Sequence, residues 1–289
     1  MSKLQIKNYY TLAKPGIIYG NAITVIGGFL LASKGVLDFE LFLLTLIGIS
    51  LVIASGCVLN NYIDRDIDAR MERTKKRVLV LGLVPEFNAL IYAIVLGFLG
   101  IKILVLFTNI LTVLIALFGF FFYVVVYSLF AKRLNSYGTL IGSISGAVPP
   151  VVGYVAVSGT LDAGAIILFL ILTLWQMPHS YAIAIYRLKD YTNAHIPVLP
   201  ISSGIQTTKV HMLLYIILFL FVSLLLTIYG YTGTYYAVIM AVISLLWLLM
   251  GVLGFSAKDE HKWARNMFTY SILVICVFSI VISLSGIFA

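Results

Sequence analysis

Nine apolar runs of about 20 residues each dominate this 289-residue chain, at 17–33, 39–60, 86–107, 110–130, 138–157, 164–186, 211–229, 235–255 and 267–287. A run of that length, wound as a helix, matches the ~30 Å hydrocarbon layer of a bilayer. Backbone N–H and C=O groups in lipid must be paired within the structure. The runs do not alternate as barrel strands would, so each is predicted to be a helix. With 62% hydrophobic and 10% charged residues, a water-soluble fold is excluded. The predicted fold is an all-α polytopic membrane protein, one membrane domain over 1–289 with nine transmembrane helices.

Placed on that scheme, 17 of the 19 Lys and Arg residues fall on the amino-terminal side, Lys34 and Lys102 being the exceptions. Basic loops stay on the cytoplasmic side, so the amino terminus is expected in the cytoplasm of a bacterial inner membrane and the carboxyl terminus across it. The net charge of +8 is then an orientation signal and calls for no nucleic-acid partner. Residues 1–16 read as a basic interfacial segment, with Pro15 near the first helix start and no cleavable signal before the first span. Cys57 and Cys276 lie inside spans as packing residues, with no disulfide or zinc spacing.

Two loops on the cytoplasmic side, about 61–85 and 187–210, are long, whereas the far-side connections are short. One follows the second span and the other the sixth, which suggests a duplicated four-helix arrangement around a shared cavity. In the fifth span Gly138, Gly142 and Gly146 recur every fourth residue before Pro149 and Pro150. Close helix packing with a kink explains them; a cavity wall for a flat ligand is the alternative.

The first long loop opens on Asn60, Asp64 and Asp68. At i, i+4, i+8 they share one helix stripe, with the two carboxylates roughly 6 Å apart along the axis. Like charges at that spacing repel, and hard oxygen ligands at a membrane edge suit Mg²⁺. A solvated helix whose acids pair locally, as Asp66 with Arg70 and Glu72 with Lys76, is the plainer reading. It leaves Asp64 beside Asp68 unexplained. The second loop carries Arg187, Lys189 and Asp190, either a surface ion cluster or an opposing set of ligands. Carboxylates from two loops with flanking cations such as Arg65, Arg70, Arg73, Arg77, Lys132 and Arg133 fit a metal-bound diphosphate. Polar residues inside spans are few: Asn21, Tyr123, Tyr127, Trp175, Gln176 and His179, the last beside Pro178. An intramembrane His bridges helices or ligates haem iron.

Asn60-Asn61-Tyr62-Ile63-Asp64-Arg65-Asp66-Ile67-Asp68, followed by Met71-Glu72-Arg73-Thr74, resembles the first aspartate-rich motif of the UbiA superfamily of intramembrane prenyltransferases. Trp175-Gln176-Met177-Pro178-His179-Ser180 and Asp190-Tyr191 with Ile196-Pro197-Val198-Leu199-Pro200 look like its haem-farnesylating branch. The likeness extends through Lys14-Pro15-Gly16-Ile17 and Gly138-Thr139-Leu140-Ile141-Gly142-Ser143. The resemblance implies a UbiA-like bundle around a central cavity open to membrane lipid. It implies Mg²⁺, farnesyl diphosphate and haem B as substrates, haem O as product, and a link to a haem-copper terminal oxidase pathway. By position, Asn60, Asp64, Asp68 and Asp190 would hold the metal. Arg73, Arg77 and Lys132, with Arg187 and Lys189, would hold the diphosphate, and His179, Trp175, Asn21 and Tyr127 would form the haem pocket. Two departures stand out: Tyr186 occupies the place of a second acid four residues before Asp190, and Val78 that of a proline after Arg77. An aromatic acceptor of the quinone pathway is the competing enzyme reading, against which the Trp175–His179 stretch argues. A secondary transporter would carry charges deep in the spans, whereas these acids cluster at one face. A structural oxidase-assembly subunit leaves the acidic stripe without a purpose.

Overall fold

The structure, a computed structural model, describes residues 3–287. Among those residues it has nine helices long and apolar enough to cross a membrane: α1 (Pro15–Ser33), α2 (Phe39–Ile63), α3 (Glu86–Phe107), α4 (Ile110–Leu134), α5 (Gly138–Ser158), α6 (Ala163–Tyr186), α7 (Ile205–Ile228), α8 (Thr234–Ser256) and α9 (Glu260–Ile287). Large apolar side chains such as Phe98, Phe121 and Val242 point outward all around. In water that coat would be an extensive sticky patch; in lipid it is the solvated surface.

The bundle interior holds several apolar clusters. Leu168 and Ile171 of α6, Phe219 of α7, Trp247 of α8 and Phe278 of α9 lie in one. Val25, Ile49, Val52, Leu104, Val113 and Val152 from α1 to α5 form another. Small residues let α1 and α5 touch backbone to backbone. A Cβ on Gly28 would lie 2.0 Å from the Pro150 carbonyl oxygen, and one on Gly153 2.2 Å from that of Val25. The glycine stripe of α5 also serves close approach, since a Cβ on Gly146 would collide with Gln176 Oε1 at 2.0 Å. The helix breaks at Ala147, just before the two prolines.

Two helices begin earlier than their apolar runs, α7 by six residues and α9 by seven. The extensions are polar, and hydropathy alone misses them. They hold because Lys209 is buried and its ammonium donates to the Gly254 carbonyl and to Glu260 Oε1, each at 2.7 Å. The second long loop is shorter than its sequence suggests and contains the helical turns Leu188–Asn193 and Leu199–Ser202. Ile67 and Met71 of the first loop pack against Ala194 and Ile196 of the second, so both loops cover the same end of the bundle.

Candidate active site at the mouth of the bundle

Between the helices lies a cavity of about 750 Å³ that reaches the face carrying the two loops. One face of α2 supplies its wall over about three turns, through Ile49, Val52, Ile53, Gly56, Cys57 and Asn60, and the stripe continues through Asp64 and Asp68. The geometry expected from spacing is present. Asp64 N–H donates to the Asn60 carbonyl at 2.9 Å and Asp68 N–H to that of Asp64 at 2.8 Å, so helical pairing bridges the end of α2 and the turn Arg65–Asp68.

Each buried acid has its own cation. Asp64 Oδ2 accepts from Lys132 Nζ at 2.5 Å, and Asp68 Oδ2 from Arg77 at 2.5 Å. The Asn60 amide donates to Asp64 Oδ2 at 2.8 Å and to Ser128 Oγ at 2.9 Å, and its carbonyl oxygen accepts from Lys14 Nζ. Asp64 Oδ1 is different: buried, it accepts no hydrogen bond. A carboxylate oxygen in that state costs free energy, offset only by the Arg133 guanidinium 3.9 Å away.

Local backbone features deliver these groups. Lys14 has a left-handed backbone (φ 55°), uncommon for a residue with a side chain. The turn between the short helix Lys3–Leu12 and α1 thereby brings its ammonium to Asn60. Burial, with Arg77 nearby, lowers the Lys14 pKa to about 8. The last turns of α4 (Phe122–Ala131) are π-helical, a wider winding that recurs at functional sites. Lys132 follows directly, and Tyr123 and Tyr127 stack with centroids 6.2 Å apart along the cavity wall.

The i, i+4 pairs expected in the first loop do not form, because the chain leaves the helix after Asp68 for a series of turns. Asp66 instead receives two hydrogen bonds from Arg133, at 2.7 and 2.8 Å, which hold its pKa at about 2. Glu72 pairs with Lys75 at 2.6 Å. These are outward ion pairs that anchor the loop.

Asn60, Asp64, Asp68, Arg73, Arg77 and Lys132 all line the cavity, as do Asn21, Tyr127, Trp175 and His179. Arg187, Lys189 and Asp190 do not line it. Lys189 is exposed, and the Arg187 guanidinium lies 4.9 Å over the Tyr186 ring. Asp190 is buried, and its Oδ1 accepts the Glu72 backbone N–H at 3.0 Å, which ties the second loop to the first. Lys14, Ser128 and Tyr191 join the site without having been assigned to it from the sequence. Lys14 and Tyr191 stand in stretches that carry the family resemblance but had no role assigned there; Ser128 carries no local signature.

His179 sits farther along the wall on α6. Its Nδ1 is 2.7 Å from Ser271 Oγ, whose own hydroxyl donates to the Phe268 carbonyl at 2.6 Å. Ser271 therefore accepts from Nδ1–H, and the Nε2 lone pair stays open. Trp175 stacks on the imidazole at 4.7 Å and is itself fixed by donating to the Ser271 carbonyl, while Phe268 packs on the ring at 5.0 Å. A neutral imidazole with one nitrogen tied and the other free is the form that ligates a metal.

The UbiA prenyltransferase family matches residues 21–273. A protoheme IX farnesyltransferase of Yersinia pestis (strain Pestoides F) is 57% identical over 280 residues, covering 97% of this chain and 95% of that one. A solved digeranylgeranylglyceryl phosphate synthase superposes with a TM-score of 0.81 at 22% identity, covering 98% of this chain and 99% of the other. A UbiA homologue from Archaeoglobus fulgidus, solved with GPP and Mg²⁺, gives 0.69 at 14% identity over 95% of this chain and 99% of its own. The match spans most of the chain and includes both loops, and the protein belongs to the UbiA prenyltransferase family.

Proposed function

We propose that this protein transfers the farnesyl group of farnesyl diphosphate to a vinyl group of haem B, with addition of water, giving haem O and diphosphate. One observation carries the reading: a single cavity has an acid–base cluster suited to a diphosphate at its mouth and a clamped neutral imidazole suited to haem iron on its wall. The 57% identical Yersinia relative is named for that activity.

A divalent ion fits the mouth. Asn60, Asp64 and Asp68 offer oxygen donors, and the buried Asp64 Oδ1 accepts no hydrogen bond, its nearest cation being the Arg133 guanidinium at 3.9 Å. Among the described residues no cluster of three or more carboxylates, imidazoles or thiols could hold a metal alone. Mg²⁺ takes one or two carboxylates and completes its shell with phosphate and water. Bound there, it would neutralise charge on the departing diphosphate.

Arg73, Arg77, Lys132 and Lys14 line the same mouth and provide cations for the diphosphate oxygens, preorganised where negative charge grows as the allylic C–O bond breaks. The apolar wall below excludes water from the C15 cation, and the faces of Tyr123 and Tyr127 stabilise it in passing. The haem vinyl group supplies the electron pair for the new C–C bond. The resulting porphyrin-stabilised cation takes up water and releases a proton, so no strong protein base is required. Asp190 supports the site from outside the cavity, by docking onto the turn that leads to Arg73 and Arg77. The protein lies in a bacterial inner membrane with its loop face in the cytoplasm, where a charged diphosphate has access.

Purified protein in lipid, given haem B, farnesyl diphosphate and Mg²⁺, should yield haem whose mass has risen by one farnesyl group plus one hydroxyl. Prenylation of a quinone-type ring in place of haem would favour the competing acceptor. Haem unchanged under all conditions refutes the proposal.

A further inference from the structure

Resting on the farnesyl reading above, a second cavity bears on chain length. A pocket of about 380 Å³ lies between α2, α3 and α4, lined by Ser55, Leu59, Ala93, Gly97, Phe98 and their neighbours, and it is apolar apart from Ser55. The Ser55 hydroxyl is spent on the Ala93 carbonyl at 2.7 Å. This pocket and the main cavity share two lining residues, Val52 and Phe120. Those side chains, packed in one apolar cluster, are the partition between the two spaces.

The partition stands at a telling depth. Asn60 is the innermost polar residue of the stripe, and the α2 wall ends at Ile49. At 1.5 Å rise per residue Val52 lies about 12 Å deeper than Asn60, and Ile49 about 16 Å. An extended farnesyl chain, twelve carbons advancing roughly 1.25 Å per bond, measures about 14 Å. With its first carbon at the level of Asn60, just inside the charged mouth, its last isoprene would end against Val52, Phe120 and Ile49. A fourth isoprene adds about 5 Å, more than the main cavity offers along this wall. The side pocket behind Phe120 is apolar space adjoining that end of the wall.

We infer that Phe120, with Val52, is the chain-length stop of the prenyl donor. It is a specificity residue that touches the tip of the C15 chain and keeps a C20 chain out of the side pocket. A pocket wall discriminates through the methylenes it refuses, each worth about tenfold or more, so removing the stop changes which donor is used and leaves the chemistry alone.

The test compares farnesyl and geranylgeranyl diphosphates as donors to haem B, reading kcat and KM for each and the product mass. The wild type should use the C15 donor; if it makes no prenylated haem, the functional reading itself fails. Phe120→Ala should raise the C20-to-C15 ratio of kcat/KM by about tenfold or more, through KM for the C20 donor. Phe120→Ala with Ile94→Trp, which fills the side pocket from its lipid side, should return the ratio toward the wild-type value. Val52→Ala opens the same partition from α2 and should shift the ratio in the same direction, which covers the case in which loss of the Phe120 ring prevents folding. Active Phe120→Ala or Val52→Ala protein with an unchanged ratio overturns the inference, as does a shift that the Ile94→Trp filling does not reverse.

Discussion

Asp64 is the most constrained side chain of the mouth. One oxygen meets Lys132 and the Asn60 amide; the other is buried, accepts no hydrogen bond and has the Arg133 guanidinium 3.9 Å away. Asn in its place keeps the shape and removes the charge, so Asp64→Asn should cut farnesyl transfer by about a hundredfold or more, while insertion into membranes and thermal stability change little. An activity within a few-fold of wild type would show that this carboxylate has no part in the chemistry. His179 calls for a spectroscopic measurement. His179→Ala should weaken haem binding about tenfold to a hundredfold and remove the optical signature of nitrogen ligation, with a smaller loss for Ser271→Ala, which frees only the far side of the ring. Haem spectra identical to wild type would assign the imidazole to helix bridging. Spacing alone puts Asp64 on one helix stripe with Asn60 and Asp68, a local property, and His179 stands out as one of few polar residues in an apolar span. Neither signal could place Lys14 or Ser128, whose partners are 46 and 68 residues away.

At the level of elements, the contact between the two loops is the feature that sequence pattern leaves open. Opposition of Asp190 to the Asp64/Asp68 stripe is expected if both acids face the cavity; instead Asp190 meets a backbone N–H of the first loop. Asp190→Ala should therefore loosen the turn that carries Arg73 and Arg77 and raise KM for the diphosphate donor several-fold, whereas Asp190→Asn, which keeps an acceptor oxygen, retains most of the affinity. A magnesium titration separates the roles. A shifted Mg²⁺ midpoint in Asp190→Asn would make the residue a metal ligand; an unshifted one leaves it as a clasp. Helix ends follow the same lesson. Apolar length finds the nine spans, but the early starts of α7 and α9 depend on Lys209 meeting Glu260 across helices, and no window along the chain contains that pair.

Across the whole molecule, hydropathy determines class and span number, because lipid leaves the backbone no alternative to helix. The cavity and its side pocket are set by the shape of packed side chains, and neither is written in any periodicity. The paired charges at the mouth carry one more consequence. Lys132 and Arg77 now rest on the very carboxylates that a cation would claim. On the proposed function, a magnesium ion would compete with them for Asp64 Oδ2 and Asp68 Oδ2, and a diphosphate would compete with those carboxylates for the cations. Together each frees the other's place, and by reciprocity of linked equilibria each tightens the other's hold. On that reading such a mouth would answer most strongly to metal and phosphate when they come joined.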